Sequence, residues 1–420
     1  MHFVWWTALL LRLRRMLSRN ELAVRLLGLP RETAHAQACG LVLIQIDGLS
    51  RRQLETAIAK RRMPFLHKLL HREHYRLTSL YSGIPSSTPS VQGELFYGVR
   101  CATPAFSFFS ESLGRQVSMS EPEAAIEVES RIAVDRPGLL EGGSAYCDVY
   151  TGGAREAHFC AQNLGLGGFL ASVRLSRLLV VATWYVWSLI RAAGLTLLEI
   201  ALAIGGFVSG ALRRGEFFAE LGFIPARVAI VVLMRELVTI GATLDVARGV
   251  PIVHLNLLGY DEQAHRRGPE SDFAHWTLKG IDHAVKTIWQ AAHRSQLRHY
   301  DVWVYSDHGQ ETTTPYAQRH GQTIQQTVAK LLGEETIPSE PPAARSALTE
   351  RAQWLGGGRI AQWLLGAKPF AADKSPTNPV KVVATGPGGV VFSRALGVEQ
   401  RLRLALRLVS VRYCPLVLVR

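Results

Sequence analysis

Three short apolar runs, each followed closely by an aspartate, constrain the fold of this chain more than any other feature. The runs and their aspartates are Leu41–Ile46 with Asp47, Ile252–Leu258 with Asp261, and Val302–Tyr305 with Asp307. Continuous apolar runs of this length are typical of parallel strands that are buried on both faces. Between them, Arg51–His71 and Ala274–Arg294 have the spacing of amphipathic helices. The sequence therefore predicts an α/β fold with a largely parallel central sheet flanked by helices.

The chain has 420 residues, enough for one large domain with appendages. We assign residues 39–154 and 249–420 to this main domain. Residues 1–38 mix Trp and Leu with several arginines, which predicts a basic amphipathic N-terminal helix, either anchored on a membrane surface or packed on the domain. Residues 155–248 form an apolar helical insertion that interrupts the alternation of strands and helices.

The insertion contains two very apolar runs, 178–190 and 192–212. The first is shorter than the roughly 20 residues that a membrane-spanning helix needs. The second is long enough but contains Glu199 and four glycines. We expect a helical insertion buried against the domain or lying in a membrane interface, and a transmembrane hairpin is the alternative.

The net charge of +13 favours anionic partners such as phosphate esters or an acidic lipid surface. No recognition motif for a specific nucleic acid accompanies it. The five cysteines are scattered and form no CxxC pair, so a disulfide framework or a zinc–thiolate site is not expected. The N-terminus lacks the order of a signal peptide, and we expect a cytoplasmic or membrane-associated protein.

Ligands bind at the carboxyl ends of the strands in open α/β sheets, which is where the three aspartates are expected to meet. Converging carboxylates repel one another unless cations neutralise them. Two of the aspartates also have a histidine nearby: Asp261 and His265 are four residues apart on one predicted helix face, and His308 follows Asp307 directly. Mixed oxygen and nitrogen ligands suit zinc or manganese better than calcium or magnesium.

A candidate nucleophile lies in the segment Pro85-Ser86-Ser87-Thr88-Pro89-Ser90, just before the predicted helix Val91–Gly98. A hydroxyl at a helix N-terminus is exposed to the positive end of the helix dipole, where a phosphate group would bind. The alternative is that these hydroxyls only cap the helix.

Together these segments resemble the alkaline-phosphatase superfamily, and within it the type I phosphodiesterase/nucleotide pyrophosphatase group. The resemblance covers about residues 41–110 and 250–325. Its most specific parts are Asp261-x-x-x-His265-x-x-Gly268-Pro269 and Ser306-Asp307-His308-Gly309, together with Pro85–Thr88 and the glycine Gly98 ten residues further on.

The resemblance implies a hydrolase of phosphate diesters or monoesters with Thr88 as nucleophile and two divalent metal ions, zinc or alternatively manganese. One ion would be held by Asp47, Thr88, Asp307 and His308. The other would be held by Asp261, His265 and a further histidine, for which His320 is the downstream candidate in this sequence. The alternative is a ligand that lies beyond Arg420. The expected substrate is a small anionic phosphate ester or a lipid head group, and a membrane surface is a candidate partner.

The sequence departs from the family pattern in two places. His320 lies only 12 residues after His308, closer than the resemblance implies for the downstream histidine. No asparagine occurs between residues 21 and 162, so the family's phosphate-binding asparagine is absent and Gln92 is the candidate replacement. Ser87-x-Pro89-Ser90 also begins like a sulfatase motif, but Val91 stands where that motif has arginine. The alternatives are therefore a sulfatase, a lipid head-group phosphotransferase, and a membrane-attached non-enzymatic protein with a decayed site.

Overall fold

The computed structural model describes residues 19–32, 38–162, 190, 194, 229–314, 316–333, 380–385, 388–393, 395–412, 414 and 416–419. The strands are β1 (Gly40–Ile46), β2 (Ser107–Ser110), β3 (Arg115–Ser118), β4 (Ser144–Tyr146), β5 (Glu156–His158), β6 (Ile252–Leu257), β7 (Tyr300–Tyr305), β8 (Val380–Thr385) and β9 (Gly388–Ser393). The helices are α1 (Arg19–Leu27), α2 (Arg51–Ala59), α3 (Pro64–Arg72), α4 (Thr88–Tyr97), α5 (Pro122–Ile132), α6 (Arg235–Arg248), α7 (Tyr260–Arg267), α8 (Asp272–Arg294), α9 (Tyr316–His320), α10 (Ile324–Leu332) and α11 (Val398–Arg412).

The central sheet has the strand order β5-β4-β6-β1-β7, and all its pairs are parallel. The three predicted strands are β1, β6 and β7, which are neighbours in this order. The register places Gln45 of β1 opposite Asn256 of β6 on one side and Tyr305 of β7 on the other. Because the strands are parallel, their carboxyl ends share one edge of the sheet. The predicted α/β fold with a largely parallel central sheet is confirmed.

Side chains alternate between the two faces of the sheet, and each face is covered by helices. On one face, Val42, Ile44 and Ile46 belong to the main core, together with buried residues of α3, α6 and α8 such as Leu278. On the other face, a second core is built around Phe96 of α4 and the aromatic ring of Tyr150. Helix α4 therefore lies on the face opposite the long helix α8, and it begins at Thr88.

The predicted helix Arg51–His71 is two helices in the structure. Helix α2 starts after Ser50, whose hydroxyl accepts from the backbone N–H of Gln53, and it ends at Ala59. Arg61 has a positive φ of 54°, which no helix interior tolerates, and Pro64 opens α3 at its first residue. The apolar spacing predicted the helical conformation, but the break depends on local turn geometry that the spacing does not report.

The C-terminal part forms a small core of its own. Strands β8 and β9 pair as an antiparallel hairpin. Helices α10 and α11 pack with this hairpin around Val328 and Leu404. The ring of Phe392 lies 5.0 Å from that of Phe109 on β2, which links the small core to the rest of the domain.

Most of the predicted insertion, and residues 1–18 of the predicted N-terminal helix, lie outside the described residues. The described ends of segment 155–248 belong to the central domain: β5 extends the sheet, and α6 packs on it. Arg248 at the end of α6 donates from Nη1 to Glu156 of β5 at 2.8 Å. Among the described residues, no helix is long and apolar enough to cross a membrane.

Candidate active site

The three predicted aspartate ligands lie at one edge of the sheet because each comes shortly after the end of a parallel strand. Asp47 follows β1 directly, Asp307 comes two residues after β7, and Asp261 lies in the first turn of α7, which follows β6. Asp47 and Asp307 are fully buried, and Asp261 is nearly so. These three carboxylates approach the same edge from neighbouring strands.

Asp47, Asp307 and His308 form the tightest group. One potential ligand atom from each lies within 4.8 Å of those of the other two. His308 Nε2 lies 3.6 Å from Asp47 Oδ1 and 3.6 Å from Asp307 Oδ2. The other ring nitrogen of His308, Nδ1, lies 3.2 Å from the carbonyl oxygen of Gly309, and this contact orients the ring.

The turn after β1 is fixed by the turn after β7. The backbone N–H of Gly48 donates to Asp307 Oδ1 at 3.3 Å, and that of Leu49 donates to Ser306 Oγ at 2.9 Å. Gly48 has a φ of +71°, and a Cβ atom there would lie 2.4 Å from Asp261 Oδ1. Only glycine suits this position, because it combines a left-handed backbone with close approach of a carboxylate.

Thr88 contacts the group of Asp47, Asp307 and His308 from helix α4. It is the first residue of α4 and is buried, and Pro89 follows it in the first turn. Its Oγ1 lies 3.4 Å from Asp47 Oδ1 and 3.4 Å from His308 Nε2. The neighbouring hydroxyl of Ser87 points elsewhere and donates to Ser90 Oγ at 3.2 Å. Of these two hydroxyls, that of Thr88 contacts the ligand group.

Asp261 and His265 form a second, more open pair. Both lie on α7, and their contact distance is 3.3 Å between Asp261 Oδ2 and His265 Nε2. The side chain of His265 is 47% exposed, whereas that of Asp261 is 7% exposed. Gln310, three residues after Asp307, donates to both Oδ1 and the carbonyl oxygen of Asp261. This amide therefore connects the second pair to the loop that carries the first group.

His320 is the predicted third ligand of the second metal. It ends the short helix α9, and its ring packs against that of Tyr316 with 4.5 Å between the ring centres. The structure does not include His320 in the group of ligand atoms formed by Asp47, Asp307 and His308. Its assignment to the second metal stays a prediction.

The carboxylates keep both nearby imidazoles protonated in the metal-free protein. Asp261 raises the pKa of His265 to about 9, against the opposing effect of burial. Burial by itself would lower the pKa of His308, but Asp307, Asp261 and Asp47 raise it to about 9. The three carboxylates thus create a strongly negative potential at this edge of the sheet.

The first group suits a divalent cation. Asp307 Oδ2 is buried and has no hydrogen-bond partner among the described residues. Buried charged oxygens are costly to leave unpaired, and a metal ion at this point would satisfy this one. Two carboxylates, one imidazole and the Thr88 hydroxyl make the mixed oxygen and nitrogen set that zinc and manganese accept. The residues present therefore fit the metal that the sequence predicts.

The sequence analysis missed one buried residue beside the site. Asn256 of β6 donates from Nδ2 to Asp47 Oδ2 at 3.1 Å, and its Oδ1 has no hydrogen-bond partner within the described part of the chain. In the sequence, Asn256 is a polar residue within an apolar strand. The alternation of apolar residues does not show whether such a residue faces the site. The register could have indicated it, since Asn256 lies opposite Gln45, two residues before Asp47.

The interpretation of Gln92 as a phosphate-binding residue is wrong. Its side chain is fully buried, and all its polar atoms are engaged inside the protein. Nε2 donates to Gln45 Oε1 at 3.1 Å and to Asp148 Oδ1 at 2.9 Å, and Oε1 accepts from the backbone N–H of Val149 at 2.8 Å. Gln92 lies one turn beyond Thr88, and its amide points into the sheet.

The parallel sheet with candidate ligands at its carboxyl edge is consistent with an alkaline-phosphatase-like α/β fold. The family model for type I phosphodiesterase / nucleotide pyrophosphatase matches residues 242–361, the segment that holds Asp261, His265, Asp307 and His308. The match confirms the resemblance to this family, a member of the alkaline-phosphatase superfamily, and supports phosphoric ester hydrolysis. No curated protein and no solved structure shows significant similarity to the chain.

Proposed function

We propose that this protein is a two-metal hydrolase that cleaves phosphate diesters, or monoesters, through Thr88 as the nucleophile. The observation that carries the proposal is the position of Thr88 Oγ1, which lies 3.4 Å from both Asp47 Oδ1 and His308 Nε2 at the N-terminus of α4. A hydroxyl whose only role was to cap the helix would not need to approach these two groups.

The chain supplies ligands for two divalent ions, zinc or alternatively manganese. Asp47, Thr88, Asp307 and His308 would hold the first, and Asp261, His265 and His320 would hold the second. When bound, such ions lower the pKa of a coordinated hydroxyl and stabilise the negative charge that develops on the oxygens around phosphorus.

The reaction then takes two displacement steps. Thr88 Oγ1 attacks phosphorus, the bond from phosphorus to the leaving oxygen breaks, and the threonine proton passes to solvent while the leaving oxygen takes one up. In the second step a water oxygen attacks the phosphothreonine, the bond between Oγ1 and phosphorus breaks, and Thr88 recovers its proton. The role of α4 is to hold Oγ1 in place, with the positive end of its dipole toward the phosphate.

The matched pair Thr88→Ala and Ser87→Ala tests the assignment. Removal of the nucleophile should lower hydrolysis of an aryl phosphodiester by on the order of 10⁴-fold or more. Metal content should stay near that of the parent, because Asp47, Asp307 and His308 remain. Ser87→Ala should keep most of the activity, since its hydroxyl bonds to Ser90.

The result that overturns the proposal is undiminished phosphodiester hydrolysis by Thr88→Ala with metal retained. A sulfatase would give the opposite pattern, because its motif begins at Ser87: sulfate ester cleavage would disappear in Ser87→Ala. The assay therefore compares aryl phosphodiester, phosphomonoester and sulfate substrates for both variants.

A second candidate, a phosphotransferase acting on lipid head groups, is favoured by the loop that precedes Thr88. Three large apolar side chains in this loop are exposed: Leu80 at 63%, Tyr81 at 79% and Ile84 at 47%. Exposed apolar side chains that lie close together commonly mark contact with an apolar ligand or a membrane. Here they lie within eight residues of the proposed nucleophile.

Tyr81→Ser distinguishes the two candidates when assayed on a soluble aryl phosphodiester and on a phospholipid in mixed micelles. A lipid head-group enzyme should lose activity on micelles and keep it on the soluble ester, and a hydroxylated acceptor should receive the phosphoryl-containing group. Equal activity of parent and variant on both substrates would exclude the lipid candidate.

A further inference from the structure

A network of buried polar side chains lies directly beneath the proposed site. Its members come from the four strands next to the site and from the helix of the nucleophile: Asp148 just after β4, His254 of β6, Gln45 of β1, Tyr305 of β7 and Gln92 of α4. Asp148, His254, Gln45 and Gln92 are fully buried. Buried polar groups are costly unless they are hydrogen-bonded, so the pattern of donors and acceptors here is strongly constrained.

The orientation of Gln92 is fixed by the backbone. The N–H of Val149 can only donate, and it lies 2.8 Å from the Gln92 atom that must therefore be Oε1. Gln92 Nε2 then donates both its hydrogens, one to Asp148 Oδ1 at 2.9 Å and one to Gln45 at 3.1 Å. The Gln45 atom facing Gln92 is consequently an acceptor, Oε1.

This assignment determines the direction of the next two bonds. Gln45 Oε1 also lies 3.0 Å from the hydroxyl of Tyr305, which must donate its one hydrogen there. The same hydroxyl lies 2.7 Å from His254 Nε2, and with its hydrogen already used it can only accept. His254 Nε2 therefore carries a proton.

The other ring nitrogen faces a carboxylate. His254 Nδ1 lies 2.8 Å from Asp148 Oδ2, and one proton must lie between them. Asp148 Oδ1 already accepts from Gln92, and a hydrogen bond to the ionised form of a carboxyl favours that form. Burial raises the pKa of Asp148, and its hydrogen bonds from His254 and Gln92 oppose this effect, so the two side chains share one buried proton. The ring of Phe96 also lies edge-on against the His254 ring, with 4.9 Å between the ring centres.

The network connects the elements that build the first metal half-site. Gln92 lies four residues after Thr88, hence on the same face of α4, Gln45 lies two residues before Asp47, and Tyr305 lies two residues before Asp307. We propose that the buried hydrogen-bonded pair of His254 and Asp148 is a positioning centre, which through Tyr305, Gln45 and Gln92 holds Thr88 at its distance from Asp47 and His308. The effect on activity rests on the proposed function, whereas the hydrogen on His254 Nε2 does not.

The first experiment measures protonation without any assay of activity. In the full chain labelled with ¹⁵N-histidine, Nε2 of His254 should carry a directly bonded hydrogen, because the Tyr305 hydroxyl donates to Gln45 and can only accept from the ring. The signal is identified by its loss in His254→Gln or, if that variant does not fold, by its proximity to the ring of Phe96. A hydrogen-free Nε2 would overturn the proposal.

The second experiment compares two tyrosines of the same strand. Tyr305→Phe removes the acceptor of His254 Nε2–H and the donor to Gln45, so the ¹⁵N signal of His254 Nε2 should shift. The value of kcat should fall by about 10- to 100-fold at unchanged KM and metal content, as for other residues that orient metal ligands. Tyr300→Phe is the control: its buried hydroxyl donates to Val250 O at 2.7 Å at the far end of β7, and kcat should not change.

Equal kcat values for Tyr305→Phe and Tyr300→Phe would overturn the positioning role. If the parent protein hydrolyses no phosphate ester, the proposed function fails, and the ¹⁵N spectra still decide whether His254 Nε2 carries the hydrogen that the network requires. The two failures are therefore distinguishable.

Discussion

Asp47, Asp307 and His308 come from the ends of two adjacent strands, and their ligand atoms lie within 4.8 Å of one another. Asp261 and His265, in contrast, come from one turn of a single helix, and Asp261 Oδ2 lies 3.3 Å from His265 Nε2. The side chain of His308 is 11% exposed, whereas that of His265 is 47% exposed. The first half-site is thus a product of the sheet topology, and the second is a local pair that depends on other segments for completion.

This difference shows how the two halves are held. The first is cross-linked by backbone donors: Gly48 donates to Asp307, and Leu49 donates to Ser306. In the second, Gln310, a side chain on the neighbouring loop, donates to Asp261. Ligands that are fixed by backbone donors are better preorganised than ligands held through another side chain, so we expect the proposed first metal to bind more tightly.

The largest expected effect comes from removing a ligand of the first half-site. Asp307→Asn should lower phosphodiester hydrolysis by about 10³-fold or more, because it removes both metal affinity and charge stabilisation. Asp261→Asn should cost less and should spare the first metal. The matched control is Asp301→Asn, an exposed position on β7. Metal content and turnover are measured for Asp307→Asn and Asp261→Asn together. An equal loss of both metals in the two variants would contradict the difference between the two halves of the site.

Gly48→Ala should disturb both halves at once. Its Cβ would collide with Asp261 Oδ1, and a misplacement of catalytic groups by about 1 Å can cost about 10²-fold in rate. Gly98→Ala is the control, since Gly98 has a similar φ of +68° and an added Cβ there would meet nothing within 4 Å. Both variants should lose about 1–2 kcal/mol of unfolding free energy for the left-handed backbone. If Gly98→Ala lost as much activity as Gly48→Ala, backbone strain and not the contact would be the cause.

The strands before Asp47 and Asp307 were predictable because a strand buried on both faces of a parallel sheet is a continuous apolar run in the sequence. Each of the two aspartates comes just after such a run. The pairing of Asp261 with His265 was predictable from helical spacing alone. The fold class followed from the same alternation of strands and helices. These features depend on residues close together in the sequence.

Asp148 and Asn256 were not predictable by the same reasoning. Strand β4, which precedes Asp148, has only three residues, too few to produce a recognisable apolar run. Asn256 interrupts the run of β6, and its role becomes visible only when the register places it beside Asp47. Gln92 was misassigned for a related reason: its position four residues after Thr88 does not report the direction of its side chain, which depends on the packing of α4 on the sheet.

Asn256→Leu tests whether the support of the first half-site extends beyond its ligands. Loss of the hydrogen bond to Asp47 Oδ2 should weaken binding of the first metal by about 10- to 100-fold. Binding of the second metal should change little, which separates this effect from general unfolding. Competition with a chelator at graded concentrations measures both affinities, and a parallel loss of the two metals would show that Asn256 supports the fold and not this half-site.

The smallest effect is expected at His320, where the second half-site remains least defined. If His320 completes the set of Asp261 and His265, His320→Ala should weaken the second metal by about tenfold and leave the first unchanged. His293→Ala is a suitable control, because both histidine rings pack against an aromatic ring four residues earlier in the same helix. The neighbour of His293 is Trp289, and that of His320 is Tyr316. Equal metal content in the two variants would mean that His320 only packs on Tyr316 and that the second metal takes its third ligand from another segment. The first half-site would stand in that case, because none of its ligands depends on α9.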